Sequence, residues 1–345
     1  MEGKIFQYYA NTLSGLEEVV ADELQSRVPE LSQVRLERGK RQGRVFFTHR
    51  RSPRLLMDLR TPLSLGGVLA QVQGITVGRP GLERLLDQLG KVDLQAAQRL
   101  LKSCEPEADE RRFQLSVTMQ GAQRFSTGDV AYQIKALLER RGLSPGEGGA
   151  LLRLQLQVEG QRAVLGMQLG PNRARLCLEE GGAGGPLVSC LGHLLPATGR
   201  EVLLAMGCSP GGLAELAASG GRGVLIAVDP ELRQGAGFGG LAVRGQPAFL
   251  PLAEGSADLV MAAQLQPPYH PWLGEMARVL HPGGVAAVLA AESRALSALL
   301  QASGAFAIVT GLPINLKGRR FTLWMLERLE DGEPLLGIEG VNLGG

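Results

Sequence analysis

Four cysteines in 345 residues, Cys104, Cys177, Cys190 and Cys208, are too few and too scattered to make a disulfide scaffold. None stands in a CxxC pair and none has histidines at ligand spacing, so no metal site is expected. Such thiols read as buried and reduced. No apolar run approaches the ~20 residues that a membrane helix needs, which excludes a helical membrane span. The first thirty residues carry Glu17, Glu18, Asp22 and Glu23 on a helical pattern, which is not how a signal peptide is built. A reducing, cytoplasmic setting is the expectation. Aromatics are scarce, while an apolar share of 44% and a charged share of 20% are ordinary, so the chain reads as globular and soluble.

Net charge of one sign is also nearly missing, at +2 overall, but the balance conceals an asymmetry. Residues 1–180 hold 26 Lys+Arg against 21 Asp+Glu, and residues 181–345 hold 10 against 13. The basic residues crowd into one window: Arg35, Arg38, Lys40, Arg41, Arg44, Arg50, Arg51, Arg54 and Arg60, opposed there only by Glu37 and Asp58. That points to a polyanion partner, an RNA or a DNA, with a merely solvated basic face as the alternative. Glycine is abundant after residue 180, which implies loops and a thermally modest C-terminal half.

The length fits two or three domains. A short strand over Lys4 to Ala10 is followed by a turn at Thr12–Gly15. Leu16, Val19, Val20 and Leu24 then recur at helical spacing. Val34–Leu36 and Arg44–Phe47 read as strands. Two amphipathic helices follow, Gly81 to Gly90 and Asp93 to Ser103. Arg112 to Thr118 reads as a strand and Gly128 to Arg141 as a helix. Leu152 to Val158 and Ala163 to Leu169 alternate around Gly160 as a hairpin with one wet face. The run Gly181-Gly182-Ala183-Gly184-Gly185 is the most linker-like segment. Beyond it, apolar runs alternate with helical patterns, which argues α/β with a largely parallel sheet.

The second half carries the chemistry. The apolar run Val202–Met206 leads into Gly207-Cys208-Ser209-Pro210-Gly211-Gly212 and a helical pattern to Ala218. A second apolar run ends in Asp229. Strand, glycine turn, helix, strand, acid is the order by which a doubly wound sheet holds a nucleoside. Asp229 suits a carboxylate accepting from ribose hydroxyls, or a helix N-cap before Pro230. A fourth strand, Ala257–Ala263, precedes Gln264-Leu265-Gln266-Pro267-Pro268-Tyr269.

The opening Tyr9-Ala10-Asn11-Thr12-Leu13-Ser14-Gly15-Leu16-Glu17-Glu18 resembles that of THUMP-domain RNA methyltransferases. Gly43–Phe47, Arg112–Val117, Arg124-Phe125-Ser126 and Gly166–Leu169 resemble the segments that follow in them. The resemblance spans roughly residues 5–329. It implies a ferredoxin-like unit (1–60), a THUMP RNA-binding domain (61–172), a linker (173–186), a Rossmann-like class I methyltransferase domain (187–330) and a tail (331–345). It also implies S-adenosylmethionine as cofactor and N2-methylation of guanosine in tRNA. The glycine turn (Gly207, Ser209, Gly211), Asp229 and Gln246 then match cofactor-binding positions. Gln266, Pro267, Pro268 and Tyr269 match the catalytic Asn/Asp-Pro-Pro-aromatic motif. In that motif a side-chain oxygen and a backbone carbonyl accept the amine protons, and the aromatic ring stacks on the flipped base. The alternative for Gln266–Tyr269 is a proline-stiffened surface loop. Arg173, Arg175, Lys317, Arg319 and Arg320 are further RNA candidates beside the basic window.

Three positions depart from the family pattern. The acid before the glycine turn is replaced by Leu204 or Ala205, the third-strand acid by Gln246, and the motif's Asn or Asp by Gln266. They motivate a second reading, a non-catalytic RNA-binding or scaffold protein with a decayed methyltransferase domain. A third reading takes Gly207-Cys208-Ser209-Pro210-Gly211 as a nucleophile elbow, with Asp258 and His270 or His281 completing a triad. The modified nucleotide and any need for a small activator subunit do not follow from the sequence.

Overall fold

The computed structural model describes residues 6–39, 42–179, 182–196, 199–218, 223–229, 239–246, 248–265 and 267–330. They form two compact units that divide after Asn172, with Leu13–Val19 and Gly39–Gln42 grouped with the second. No described helix is long and apolar enough to cross a membrane.

The first unit runs β1 (Phe6–Leu13), α1 (Glu17–Arg27), β2 (Ser32–Glu37), β3 (Gln42–His49), a 3-10 turn at Pro53–Asp58, β4 (Ser64–Gln73), α2 (Arg79–Gly90), α3 (Leu94–Cys104), β5 (Asp109–Gln120), α4 (Thr127–Arg140), β6 (Ser144–Pro145), β7 (Leu151–Glu159) and β8 (Arg162–Leu169). Two of its helices, α3 and α4, start where side chains provide caps. Asp93 accepts from the Ala96 amide at the head of α3, and Ser126 and Asp129 form a reciprocal capping box on α4. Along β7, Leu152, Leu154, Leu156 and Val158 point into one face and are buried. The strands make one eight-stranded sheet in the order β2-β3-β1-β4-β8-β7-β5-β6. Segments 1–60 and 61–172 therefore share one sheet. They also share one core, in which Leu24 and Val45 belong to the same cluster as Leu100 and Leu154.

Strand β4 lies in a stretch where the sequence suggests only helices. Its Gly66 dilutes the apolar signal, and the structure gives the reason for that glycine. The Tyr9 ring from β1 occupies the space that side chains at Gly66 and Gly166, on two neighbouring strands, would fill.

His49, at the end of β3, is 1% exposed, and neither ring nitrogen has a hydrogen-bond partner among the described residues. An unsatisfied buried polar group costs about 1–3 kcal/mol. His49→Leu keeps the apolar volume and removes that cost. The variant is expected to unfold about 2–6 °C higher in a thermal melt; a lower melting temperature would show that the imidazole is satisfied in solution.

The second unit contains β9 (Leu178–Glu179), β10 (Gly182–Ala183), α5 (Gly185–Leu194), β11 (Val202–Met206), α6 (Pro210–Ala218), β12 (Val224–Asp229), β13 (Leu241–Arg244), β14 (Ala257–Leu265), α7 (Tyr269–Val279), β15 (Leu280–Ala291), α8 (Arg294–Ala302), β16 (Phe306–Leu316) and β17 (Arg319–Arg328). The seven-stranded sheet is ordered β13-β12-β11-β14-β15-β17-β16. The first five strands are parallel, β17 runs antiparallel to β15, and β16, antiparallel to β17, again runs in the direction of the first five. This is the Rossmann-like α/β fold that the sequence implies. Strand order reverses between β11 and β14, and doubly wound sheets bind ligands at the carboxyl ends of the strands at such a reversal.

Candidate functional site

Each candidate for cofactor binding or catalysis described in the second unit lies at or just beyond the carboxyl end of a parallel strand. Gly207 to Ser209 follow β11, Asp229 ends β12, Gln246 comes two residues after β13, and Pro267 two residues after β14. β17 runs against β15 with Phe321 opposite Ala291, so its start lies at the same edge. There Lys317 and Gly318, both at positive φ, close a two-residue hairpin that exposes Lys317, Arg319 and Arg320. Residues scattered over more than a hundred positions thus share one edge.

The glycine turn is built tightly. Gly207 has φ +67, and a Cβ there would lie 2.5 Å from the Ala263 carbonyl oxygen of β14. Glycine at this place is required by the fold itself. Ser209 is fully buried, and its hydroxyl accepts from the Gly212 amide at 3.0 Å. It thereby caps the first turn of α6. Gly211 is exposed on that turn, where the backbone can be approached closely. Leu204 and Ala205 are buried, and no acid stands in their place.

The described part of the glycine run read as a linker is built into this turn. Ala183 donates to the Gly207 carbonyl at 2.9 Å and accepts from the Ser209 amide at 2.8 Å. A side chain on Gly182, at φ +139, would collide with Gly207. The strap consists of backbone bonds and small residues, so hydrophobic periodicity could not reveal it.

Asp229 is half-buried. Burial, with a smaller contribution from the Asp229 charge, pushes the Cys208 thiol up to about 12. Cys208 therefore stays protonated near neutral pH and is no nucleophile. All four cysteines are free. Residues 230–238 lie outside the described ones, and with them the helix that Asp229 would cap.

Gln246 is exposed, and its carbonyl accepts from the Phe249 amide at 2.9 Å. Phe249 itself is 77% exposed. The segment after it is clamped by α7. Glu275 accepts from the Leu250 amide, and Arg278 donates to the Leu250 and Leu252 carbonyls. The Arg278 hydrogen bond holds the Glu275 carboxyl below its ordinary range. Nothing in the sequence pattern announces this clamp or the exposed Phe249.

Gln266 lies outside the described residues. Pro267 and Pro268 are exposed, and Pro268 caps α7. Tyr269 is 7% exposed and belongs to the core cluster. A ring packed there has little surface left for a base, so stacking would require it to leave the core.

The basic candidates divide sharply. Arg44 is only 9% exposed, donates to Asn11 at 3.1 Å and lies over the Tyr9 and Phe46 rings. It is a buried structural cation with little to offer a phosphate, which corrects its expected place among the RNA contacts. Arg35 pairs with Glu37 and lies over Phe46. Arg51 pairs with Glu30, and Arg173 pairs with Glu215 on α6 at 2.6 Å. Arg38 and Arg50 are exposed. Lys40 and Arg41 are outside the described residues, and the Arg175 side chain is not among those described.

The hydrolase arrangement does not assemble. Asp258 accepts from the amide of Val202, which begins β11, and bonds His281 at 3.0 Å. Both therefore sit at the amino end of the parallel strands. Ser209 lies beyond the carboxyl end of β11, most of a strand's length away, with its hydroxyl committed to the α6 cap.

No family model and no curated protein matches the chain. Solved structures match it over nearly its whole length. TrmN from Thermus thermophilus aligns at 22% identity with a TM-score of 0.72, covering 94% of this chain and 100% of that one. SMU.472, complexed with SAH, aligns at 11% identity and a TM-score of 0.66, covering 95% and 99%. A Listeria monocytogenes protein described as a predicted N6-adenine-specific DNA methylase aligns at 15% and 0.64, covering 93% and 96%. At these identities the likeness establishes a shared fold.

Proposed function

We propose that this chain is an S-adenosylmethionine-dependent RNA methyltransferase, acting on the N2 amine of guanosine in tRNA. The observation that carries the reading is the convergence of the glycine turn, Asp229, Gln246 and the Pro267–Pro268 pair on one carboxyl edge, at the strand-order reversal. The solved likenesses support it: one is a TrmN and another was crystallised with SAH. In this reading residues 1–172 are the ferredoxin-like and THUMP parts that hold the RNA, and 187–330 the methyltransferase domain.

The donor set fits the cofactor. The Asp229 carboxylate accepts from the ribose hydroxyls. Gln246 accepts from the adenine amine through its amide oxygen, and Phe249 beside it offers an apolar face. The exposed backbone at Gly211, on the first turn of α6, suits the methionine carboxylate. The bound cofactor supplies an electrophilic methyl on a sulfonium. The chain's own part is to position the guanine amine and hold its N–H groups; the proton lost on methylation would pass to solvent. The Gln266 side-chain oxygen and the Pro267 carbonyl would accept hydrogen bonds from the amine's N–H groups, aligning the nitrogen to displace the thioether leaving group from the methyl carbon. Lys317, Arg319 and Arg320, on the same edge, contact phosphates. A cytoplasmic setting remains part of this proposal.

Restoring the family residue tests it. Gln266→Asn shortens the side chain and is expected to raise the methylation rate about tenfold, or ~1.4 kcal/mol of barrier. Gln266→Ala should lower it about 10–100-fold. Equal rates for wild type and Gln266→Ala would remove Gln266 from the chemistry.

A non-catalytic RNA-binding protein is the second reading. It is favoured by the buried, uncharged Leu204 and Ala205 and by the two turn groups already bonded to Ala183. It requires that S-adenosylmethionine show at most weak binding in calorimetry or thermal shift.

A further inference from the structure

Apart from the basic window, where Arg44 is buried, the first unit offers a different place where cations meet an aromatic ring. A cavity of about 460 Å³ opens where the start of α2 approaches the start of α4. Its floor is apolar, made of Leu82 and Phe125, 8% and 9% exposed. Its rim carries Arg79 and Arg124, both exposed. Tyr132 stands at its side, 76% exposed, on the face of α4 turned away from the buried Val130, Ile134 and Leu138. A tyrosine there contributes nothing to the core, and its ring is open to solvent.

We propose that this cavity binds one unstacked nucleotide of single-stranded RNA, with the base on Tyr132 and the phosphate on Arg79 and Arg124. The inference rests on the RNA-binding part of the proposed function and gives it a place.

The charges set the orientation. Arg79 bonds Glu83 at 2.9 Å, but with 89% and 63% of these side chains exposed the pair is weak and exchangeable for a phosphate. Arg79 begins α2, whose N-cap Gly78 supplies no side-chain hydrogen bond, so the positive helix end also favours an anion there. At the α4 end, two hydrogen bonds from Ser126 hold the Asp129 carboxyl below its ordinary range. Asp129 therefore stays ionised and repels phosphate toward α2. Its second oxygen can accept from a ribose hydroxyl or a base amine, and Gln133 lines the same wall. The volume suits a ligand pocket of roughly 300–1,000 Å³. A base must leave its stack to lie on a tyrosine, which selects single-stranded RNA over a duplex.

The test uses the full chain and a fluorescein-labelled single-stranded RNA decamer, with binding read by anisotropy against salt. Tyr132→Ala is expected to weaken binding about tenfold, while Tyr132→Phe keeps the ring and stays near wild type. Arg124→Ala and Arg79→Ala should each weaken binding and lower the salt slope by about 0.7. Lys91→Ala, at the far end of α2, should leave both the affinity and the salt slope at the wild-type values. Wild-type RNA binding that survives the Tyr132 and Arg124 substitutions would overturn this site and leave the RNA-binding reading standing. No RNA binding by the wild type would overturn both. Self-association in sedimentation that is lost in Tyr132→Ala, with RNA affinity unchanged, would assign the groove to a second copy of the chain and sink the proposal.

Discussion

Asp229→Ala is expected to weaken S-adenosylmethionine binding by about thirtyfold or more, with RNA affinity unchanged. Two charge-assisted hydrogen bonds from the ribose hydroxyls would be lost, each of the class that contributes about 1.5–3 kcal/mol. Some of that returns as water solvates the freed hydroxyls, which keeps the estimate near ~2 kcal/mol. Asp229 ends β12 in the second unit, half-buried at the sheet's carboxyl edge. RNA binding is proposed chiefly for the first unit, so the two losses should separate. Calorimetry with the cofactor and anisotropy with RNA, on one preparation, measure both. Undiminished cofactor affinity would return Asp229 to its alternative role as a helix cap.

Gly207→Ala should be the most damaging single substitution in the turn. The residue has φ +67, which costs an L side chain roughly 1–2 kcal/mol. Its Cβ would also press on the Ala263 carbonyl, and backbone on that side cannot swing away as a side chain would. Together these should cost about 2–4 kcal/mol, or roughly 5–15 °C in melting temperature. Gly211→Ala is the informative contrast. Gly211 is exposed in α6, where alanine is the better helix former by about 1 kcal/mol. That variant should fold as well as wild type or better, yet bind the cofactor more weakly if the backbone there approaches it. A stable Gly207→Ala protein with intact cofactor binding would show that the turn is less constrained than the geometry indicates.

The two glycines illustrate what a sequence discloses. The turn was legible, because strand, glycine and helix follow in a fixed order, but the division of labour within it was not. Gly207 serves packing against β14, Ser209 serves the helix cap, and only Gly211 stays open. The elements legible in the sequence are those whose periodicity reflects one buried face, such as α4 and β7; the wet face expected of the hairpin does not extend along β8, where Leu165 to Leu169 are all buried. β4 escaped because Gly66 exists to accommodate Tyr9. β16 escaped because Gly311 and Pro313 interrupt it. It is an edge strand, where proline is tolerated, and a side chain at Gly311 would press on Trp324. Charge misled in the other direction. The basic window was visible as composition, yet Arg44 is buried against Asn11 and two rings, and composition says nothing of exposure. Tyr132 and Arg79 drew no notice in the sequence, since one exposed tyrosine on a helix has no pattern.

The most direct measurement is mass spectrometry of nucleosides from unmodified tRNA incubated with the protein and methyl-deuterated S-adenosylmethionine. The account predicts N2-methylguanosine carrying the deuterated methyl, at a rate that falls about 10–100-fold in Gln266→Ala. A tRNA that gains no labelled nucleoside, from a protein that nonetheless binds it, would contradict the enzyme reading and leave a non-catalytic RNA-binding protein.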